Sequence, residues 1–233
     1  MLVQPSVYGT DNSLLLEALA QSPGQHRGVV VLDSNTTRET LQAMHRLGVR
    51  GARFNLGSPV GEGPDVDQRF DALAPHLRAL GWHLQWFAPP SALPRIAALH
   101  AGSGIVCVLD HLAGLRSALG SPARTHAPPD GDARHDAPAI QSALERLVAN
   151  GAWVKFSGWY RLGSEAPYSS LIALTQELAA RFRSNLVWGS DWPHTAFPPD
   201  AMPPYASTWA PVVAALGLDR AQGLRQAVPA IYR

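Results

Sequence analysis

The fold is indicated most directly by the stretch Asn185-Leu186-Val187-Trp188-Gly189-Ser190-Asp191-Trp192-Pro193-His194-Thr195. Its apolar first half predicts a short buried strand after a helix-like segment over Ser169–Arg183. Pro193 stops this strand because proline has no backbone N–H. Asp191 is therefore expected at the carboxyl end of a core strand. Such a carboxylate either caps the next loop or acts as an acid–base group at the open end of an α/β barrel.

The length of the chain fits one α/β domain or two small ones, and we expect a single soluble domain over residues 1–233. The chain has 233 residues, of which 46% are hydrophobic and 16% charged, enough to bury a sizeable core. Its net charge of +1 does not favour nucleic acid, which selects basic surfaces. We expect a cytoplasmic protein without membrane contact, because the sequence shows neither a bilayer-spanning stretch nor a signal peptide. The single cysteine, Cys107, excludes an internal disulfide.

Strand-like and helix-like segments alternate along the chain, which predicts a parallel sheet covered by helices. The strands are expected to begin near residues 2, 28, 49, 82, 104, 153 and 186. The first is expected to span Leu2–Val7, and Thr36 with Glu39 predicts a capping box for a helix through Leu47. No Gly-rich phosphate loop follows the first strand, which favours a closed barrel over an open doubly wound sheet. An eight-stranded barrel needs one strand more than the seven recognised here.

Residues 112–137 interrupt the alternation with a long segment rich in Pro, Gly, Asp, Arg and His. A loop of this length inside a compact domain is either functional or disordered. Two interpretations stay open, a lid over the mouth of the barrel and an insertion with no part in binding. In a lid, Arg124 would be among the arginines that meet an anionic ligand when the loop closes.

Polar side chains follow most of the predicted strands, at the end where barrel enzymes place their active sites. They are Tyr8, Asp33, Arg53, Asn55, Gln85, Asp110, His111, Ser157, Tyr160, Arg161, Asp191 and His194. Each alone has a structural explanation, since Asp33 or Asp110 could cap a helix and Arg53 could pair with a core carboxylate. Their convergence on one mouth would place carboxylate, imidazole, guanidinium and phenol groups together.

Five motifs occur in an order that one protein family shares. They are Val3-Gln4-Pro5-Ser6-Val7-Tyr8-Gly9-Thr10-Asp11-Asn12, Val49-Arg50-Gly51-Ala52-Arg53-Phe54-Asn55, Leu109-Asp110-His111, Trp153-Val154-Lys155-Phe156-Ser157-Gly158 and Val187-Trp188-Gly189-Ser190-Asp191-Trp192-Pro193-His194. The chain resembles the amidohydrolase-related (amidohydrolase 2) family, particularly its 2-pyrone-4,6-dicarboxylate lactonase-like branch, over nearly its whole length. This resemblance implies an α/β, TIM-barrel-like (β/α)8 fold that lacks its first strand, so that the single barrel domain is incomplete at the N-terminus.

The resemblance also implies roles for individual residues. Asp191 matches the general base that activates water, and His111 matches the histidine that polarises the scissile carbonyl. Arg53 and Arg161 match residues that bind substrate carboxylates, and Tyr8 and Tyr160 line the same mouth. We also expect His194 and Arg124 to belong to this substrate-binding set. General-base catalysis by a carboxylate and bidentate binding of carboxylates by arginine both agree with these roles.

One departure from the family concerns metal binding. The family's first strand carries a His-x-His pair, whereas no two of the nine histidines here are separated by one residue. A catalytic zinc site needs about three protein ligands, and His111 with Asp191 supplies two at most. We therefore expect no metal and no other cofactor, with a weakly held divalent ion as the open alternative.

Three functions compete at this stage. The first is a hydrolase that opens the lactone ring of a small carboxylated, anionic substrate. The second is a metal-dependent decarboxylase or a sugar-lactone isomerase on the same barrel, and the third is an inactive truncated barrel with a residual binding pocket. The arginines at the strand ends favour the first two, and the missing His-x-His pair favours the third. The sequence indicates no oligomeric state.

Overall fold

The computed structural model describes residues 1–57, 65–116, 137–194, 197, 200, 202–226 and 230–233. Its parallel strands form one sheet in the order β1 (Leu2–Val3), β2 (Gly28–Val30), β3 (Val49–Asn55), β4 (His83–Phe87), β5 (Cys107–Leu109), β6 (Trp153–Phe156) and β7 (Leu186–Trp188). The predicted TIM-barrel-like α/β fold with seven parallel strands is confirmed. Among the described residues no ladder joins β1 to β7, so each of these strands pairs on one side.

Helices connect the strands and cover the sheet. They are α1 (Ser13–Gln21), α2 (Arg38–Leu47), α3 (Val66–Leu80), α4 (Leu93–His100), α5 (Ala137–Ala149), α6 (Ile172–Phe182), α7 (Ala210–Leu216) and α8 (Leu218–Gln226). Large side chains of the strands and loops, such as Phe54, Trp86 and Phe156, are fully buried against them. No helix in the described part of the chain is both long enough and apolar enough to cross a membrane.

Strand register places the polar side chains at one level. Arg53 of β3 lies opposite Gln85 of β4, and Asn55 lies opposite Phe87 at the end of the same pair of strands. Phe156 of β6 lies opposite Trp188 of β7, so the residues that follow these two strands leave the sheet side by side. The carboxyl ends of the strands therefore form the edge on which a site is built.

Several element boundaries differ from those expected. Strand β1 ends at Val3, and a 3-10 turn over Ser6–Tyr8 follows Pro5, which offers no N–H to continue the ladder. Strand β5 covers Cys107–Leu109 and so begins about three residues later than predicted. Helix α8 was not predicted, because it buries only Ala221 and so carries no apolar periodicity.

The N-terminal cap of α2 was predicted one residue too early. Thr37, not Thr36, is the cap, and its hydroxyl accepts from the backbone N–H of Thr40. The hydroxyl of Thr36 instead donates to the carbonyl oxygen of Asp33. The helix ends at Leu47, as the sequence predicted, and Gly48 follows it with φ of 109°, a conformation that favours glycine.

Candidate active site

A cavity of about 600 Å³ is lined mainly by residues at and after the carboxyl ends of the strands. It brings together four members of the predicted site, namely Arg53, His111, Arg161 and Asp191. A second cavity of about 500 Å³ also touches His111 and Arg161 and includes Tyr160. The two catalytic residues expected from the sequence therefore line the same space.

Asp191 lies three residues beyond β7, and each of its carboxylate oxygens has a different environment. Its Oδ2 atom accepts a hydrogen bond of 2.8 Å from Nε of Arg161 and a second from the hydroxyl of Tyr160. Its Oδ1 atom faces Nε2 of His111 at 3.9 Å. The φ angle of Asp191 is +56°, a left-handed conformation that costs free energy in a residue other than glycine. Oδ1 is thus the oxygen that remains able to accept a proton.

The charge state of Asp191 follows from its neighbours. Burial alone would raise the pKa of this carboxyl, but His111, the guanidinium of Arg161 and the hydrogen bond from Tyr160 outweigh burial and lower it. Asp191 is therefore ionised at neutral pH, as a general base must be.

His111 follows β5 and is held from two sides. Its Nδ1 atom lies 2.9 Å from the hydroxyl of Ser157, and its ring packs edge-on against Phe87 at 4.9 Å. Burial lowers its pKa more than Asp191 and Asp110 raise it, so the imidazole is neutral at pH 7. When Ser157 donates to Nδ1, the imidazole proton is on Nε2 and points toward the side of Asp191.

Gly158 allows this close approach. A Cβ atom built on it would lie 2.3 Å from Nδ1 of His111, and its φ of +61° is also one that glycine adopts freely. The glycine of the Ser157-Gly158 pair is therefore required for the position of the imidazole.

A buried ionic cluster lies below these residues, centred on Asp110. Its Oδ1 atom is 2.8 Å from Nζ of Lys155, and its Oδ2 atom is 2.9 Å from the amide of Gln85 and 3.4 Å from Nε of Arg53. Burial would raise the pKa of Asp110, but Lys155, His111 and Arg53 together lower it. Asp110 therefore pairs in the core, and its side chain makes no helix-capping bond.

Sequence reasoning gave no role to Lys155, the only lysine of the chain. Burial would lower its pKa, but the carboxylate of Asp110 outweighs burial and raises it, so Lys155 is charged at neutral pH. The signal was present in the sequence, because a charged residue inside the apolar strand β6 needs a buried partner.

Phe87 was missed as well, although the guanidinium carbons of Arg53 and Arg161 lie 5.5 and 5.7 Å from its ring centroid.

The remaining predicted site residues lie in different surroundings. Arg53 is buried, and its Nη1 atom donates to the hydroxyl of Ser6 at 3.2 Å. Tyr8 is 49% exposed and does not line either cavity. His194 is fully buried, and its Nδ1 atom lies 3.0 Å from the hydroxyl of Tyr160. Arg124 and most of the proposed lid, residues 117–136, lie outside the residues that the structure describes.

The described residues do not form a three-ligand metal site. Among them no group of three or more His, Cys, Asp or Glu side chains is placed to hold an ion. His111 and Asp191 approach each other, but the Oδ2 atom of Asp191 is already bound by Arg161 and Tyr160.

Fold and site together define a barrel-like α/β protein with an ionised aspartate, a neutral histidine and several cations around one cavity. A family model described as Amidohydrolase (Amidohydro_2) matches residues 2–221, and the chain belongs to this family. The resemblance inferred from the motifs is thereby confirmed.

Three similar proteins indicate the branch of the family. A 4-sulfomuconolactone hydrolase of Rhizobium radiobacter is 27% identical over 86% of this chain and 63% of its own length. A 2-pyrone-4,6-dicarboxylate hydrolase of Comamonas testosteroni is 26% identical over 83% of this chain and 62% of its own length. The crystal structure of a probable 2-pyrone-4,6-dicarboxylic acid hydrolase from Acinetobacter baumannii, with citric acid bound, is 27% identical. It superposes with a TM-score of 0.71 and covers 96% of this chain and 78% of that one. The chain thus spans less than two thirds of the length of the curated relatives it matches.

Proposed function

We propose that this protein is a hydrolase that opens the lactone ring of a small carboxylated substrate. The observation that carries this proposal is the asymmetry of Asp191. Arg161 and Tyr160 hold its Oδ2 atom, while Oδ1 faces Nε2 of His111 at 3.9 Å. This leaves one oxygen of an ionised carboxylate to take a proton beside a group that can polarise a carbonyl.

The first step is the attack of water. Oδ1 of Asp191 accepts a proton from a water molecule while the water oxygen bonds to the lactone carbonyl carbon. The carbonyl oxygen becomes negatively charged in the tetrahedral intermediate. Nε2–H of His111 donates a hydrogen bond to that oxygen, and Arg161 adds positive charge at the same edge of the cavity.

The second step breaks the ring. The intermediate re-forms a carbonyl and releases the ring oxygen, which takes the proton held by Asp191. The products are a carboxylic acid, which ionises, and a hydroxyl or enol group on the same molecule. Asp191 is then ionised again, so protons balance over the cycle. No redox partner enters the reaction.

The charge of the cavity supports an anionic substrate. Its described side chains include three cations, Arg53, Lys155 and Arg161, and two carboxylates, Asp110 and Asp191. With His111 neutral, the site keeps an excess positive charge that a ligand carboxylate can neutralise. The names of the similar proteins point the same way, since they refer to a sulfonated lactone and to a pyrone dicarboxylate, and one relative binds citric acid.

The test is hydrolysis of matched substrates by the purified chain. We expect it to open 2-pyrone-4,6-dicarboxylate, followed by loss of the pyrone absorbance and by NMR of the open-chain product. The corresponding dimethyl ester lacks both charges and should react far more slowly. Failure to open any carboxylated lactone, in a sample that binds the dicarboxylate, would instead support an inactive barrel with a binding pocket.

A further inference from the structure

Behind the catalytic carboxylate a chain of hydrogen bonds leads away from the cavity. The hydroxyl of Tyr160 donates to Oδ2 of Asp191, so its oxygen is left to accept a hydrogen bond. The Nδ1 atom of His194 lies 3.0 Å from that oxygen. A consistent assignment therefore has His194 donating from Nδ1 to Tyr160, and Tyr160 donating to Asp191.

His194 is placed to donate and has no access to solvent. It is fully buried, and its Nε2 atom has no hydrogen-bond partner among the described residues. A neutral imidazole with its proton on Nδ1 leaves only a lone pair on Nε2, which explains how that atom is left unpaired. Burial lowers the pKa of His194 more than Asp191 raises it, which agrees with a neutral ring.

The same turn supplies the base and the histidine. The backbone N–H of His194 donates to the carbonyl oxygen of Asp191 at 3.0 Å, and both residues have positive φ angles, +56° and +59°. The ring of Tyr160 is held between His194 and Phe197, with centroid distances of 5.1 and 4.7 Å. The phenol therefore has little freedom to leave Asp191.

We propose that His194 and Tyr160 are positioning residues, which fix the carboxylate of Asp191 and do not bind the substrate through their polar atoms. This role rests on the proposed function and differs from the substrate-binding role expected for both residues from the sequence. Their effect is to occupy Oδ2, so that Oδ1 is the proton-accepting atom and keeps its direction toward His111. His194 acts only through Tyr160.

The first test does not depend on catalysis. In protein labelled with 15N-histidine, NMR distinguishes the two neutral tautomers of an imidazole, and the His194→Asn variant identifies the signal of His194. We expect the tautomer with the proton on Nδ1 in the full chain, with a change in the Nδ1 shift in Tyr160→Phe. A proton on Nε2 in the full chain would overturn the proposal.

The second test is kinetic and uses a conservative variant. Asparagine can place its amide nitrogen near the position of Nδ1, so His194→Asn should keep most of the activity. His194→Leu should lower kcat for the dicarboxylate by about 3- to 10-fold, the effect of one hydrogen bond between neutral groups, with KM unchanged. Tyr160→Phe should lower kcat by a larger factor, because it removes a bond to a charged group.

A double-mutant cycle decides whether His194 acts through Tyr160. In the Tyr160→Phe background, His194→Leu should cause no further loss of kcat. His100→Asn is the matched control, because it alters another buried imidazole, one that bonds to Trp86 and Ile105, far from these residues in sequence. It should lower stability and leave kcat unchanged. Additive losses of kcat, or variants that raise KM alone, would overturn the proposal.

The two claims can fail separately. If the full chain opens no lactone, the proposed function fails, and the tautomer of His194 still decides whether the hydrogen-bond chain exists. If the lactone is opened but His194 carries its proton on Nε2, the proposed function stands and the positioning role is wrong.

Discussion

Replacing Arg161 by methionine tests whether the site selects its ligand by charge. Arg161 lines both cavities and is only partly occupied by Asp191, which it meets through Nε at 2.8 Å. Its terminal nitrogens are therefore the groups we expect to bind a ligand carboxylate. A hydrogen bond to a charged group contributes about 1.5–3 kcal/mol, which corresponds to an increase in Kd of about 10- to 150-fold.

The assay is calorimetric titration with a matched pair of ligands that contain no lactone ring. Isophthalate carries two carboxylates on a flat ring, and isophthalamide has a similar shape without charge. Arg161→Met should weaken isophthalate binding by the factor above and change isophthalamide binding much less. Arg95→Met is the control, because Arg95 forms an exposed ion pair with Asp67 at 2.7 Å, outside either cavity. It should leave both affinities unchanged.

Equal losses for the two ligands would refute the reasoning. They would mean that Arg161 acts only by holding Asp191 and shaping the cavity. The same result for Arg53→Met, whose guanidinium is shared between Asp110 and Ser6, would extend that conclusion to the second arginine.

Four further predictions concern the buried ionic cluster, the position of His111 and metal binding. Lys155→Met should lower the free energy of unfolding, measured in urea, by about 3–5 kcal/mol, because it leaves Asp110 buried without its closest cation. Adding Asp110→Asn should restore part of this loss. The pKa of Asp110 is lowered from 3.8, so its ionic stabilisation is fully present above about pH 5 and is lost as the pH falls toward the folded-state pKa. Unfolding midpoints measured from about pH 6 down to about pH 2 should show this acid sensitivity in the unsubstituted chain and less of it in the double variant. Gly158→Ala should destabilise the fold by about 1–2 kcal/mol because of the positive φ, and it should lower kcat because the new methyl group displaces His111. The control is Gly217→Ala, which is also at positive φ but has open space around it, and which should lower stability alone. Treatment with a chelator should leave kcat unchanged, and a loss of activity that added zinc reverses would contradict the expectation that no metal is needed.

Much of the fold was predictable because its signals are local. Each strand is a short apolar run, and the strands alternate with segments of helical periodicity, so their number and parallel arrangement followed from the sequence. The boundaries were less well predicted where a local signal was weak. Helix α8 buries only Ala221, so it has no apolar pattern to reveal it. Thr36 and Thr37 both carry a hydroxyl that can cap a helix, and only the folded structure shows that Thr37 is the cap.

The site was predictable in its residue types and less so in its pairings. The strand pattern alone indicates that four residues meet at the carboxyl ends of the strands. Arg53 lies near the end of its strand, and His111, Arg161 and Asp191 follow theirs. The partners of these side chains depend on packing between residues far apart in the sequence. Tyr160 and Asp191 are 31 residues apart, and Gln85 and Asp110 are 25 apart, so no local pattern shows that they are bonded.

The central claim is that Asp191 is the general base, and the variant Asp191→Asn tests it most directly. An amide cannot take the proton of water at neutral pH, whereas its size preserves the packing of the site. We expect kcat for 2-pyrone-4,6-dicarboxylate to fall by about 10²- to 10⁴-fold, with the Kd for isophthalate changed far less. Asp67→Asn, at an exposed carboxylate, should keep full activity. Turnover of the lactone by Asp191→Asn at close to the rate of the unmodified chain would contradict the account.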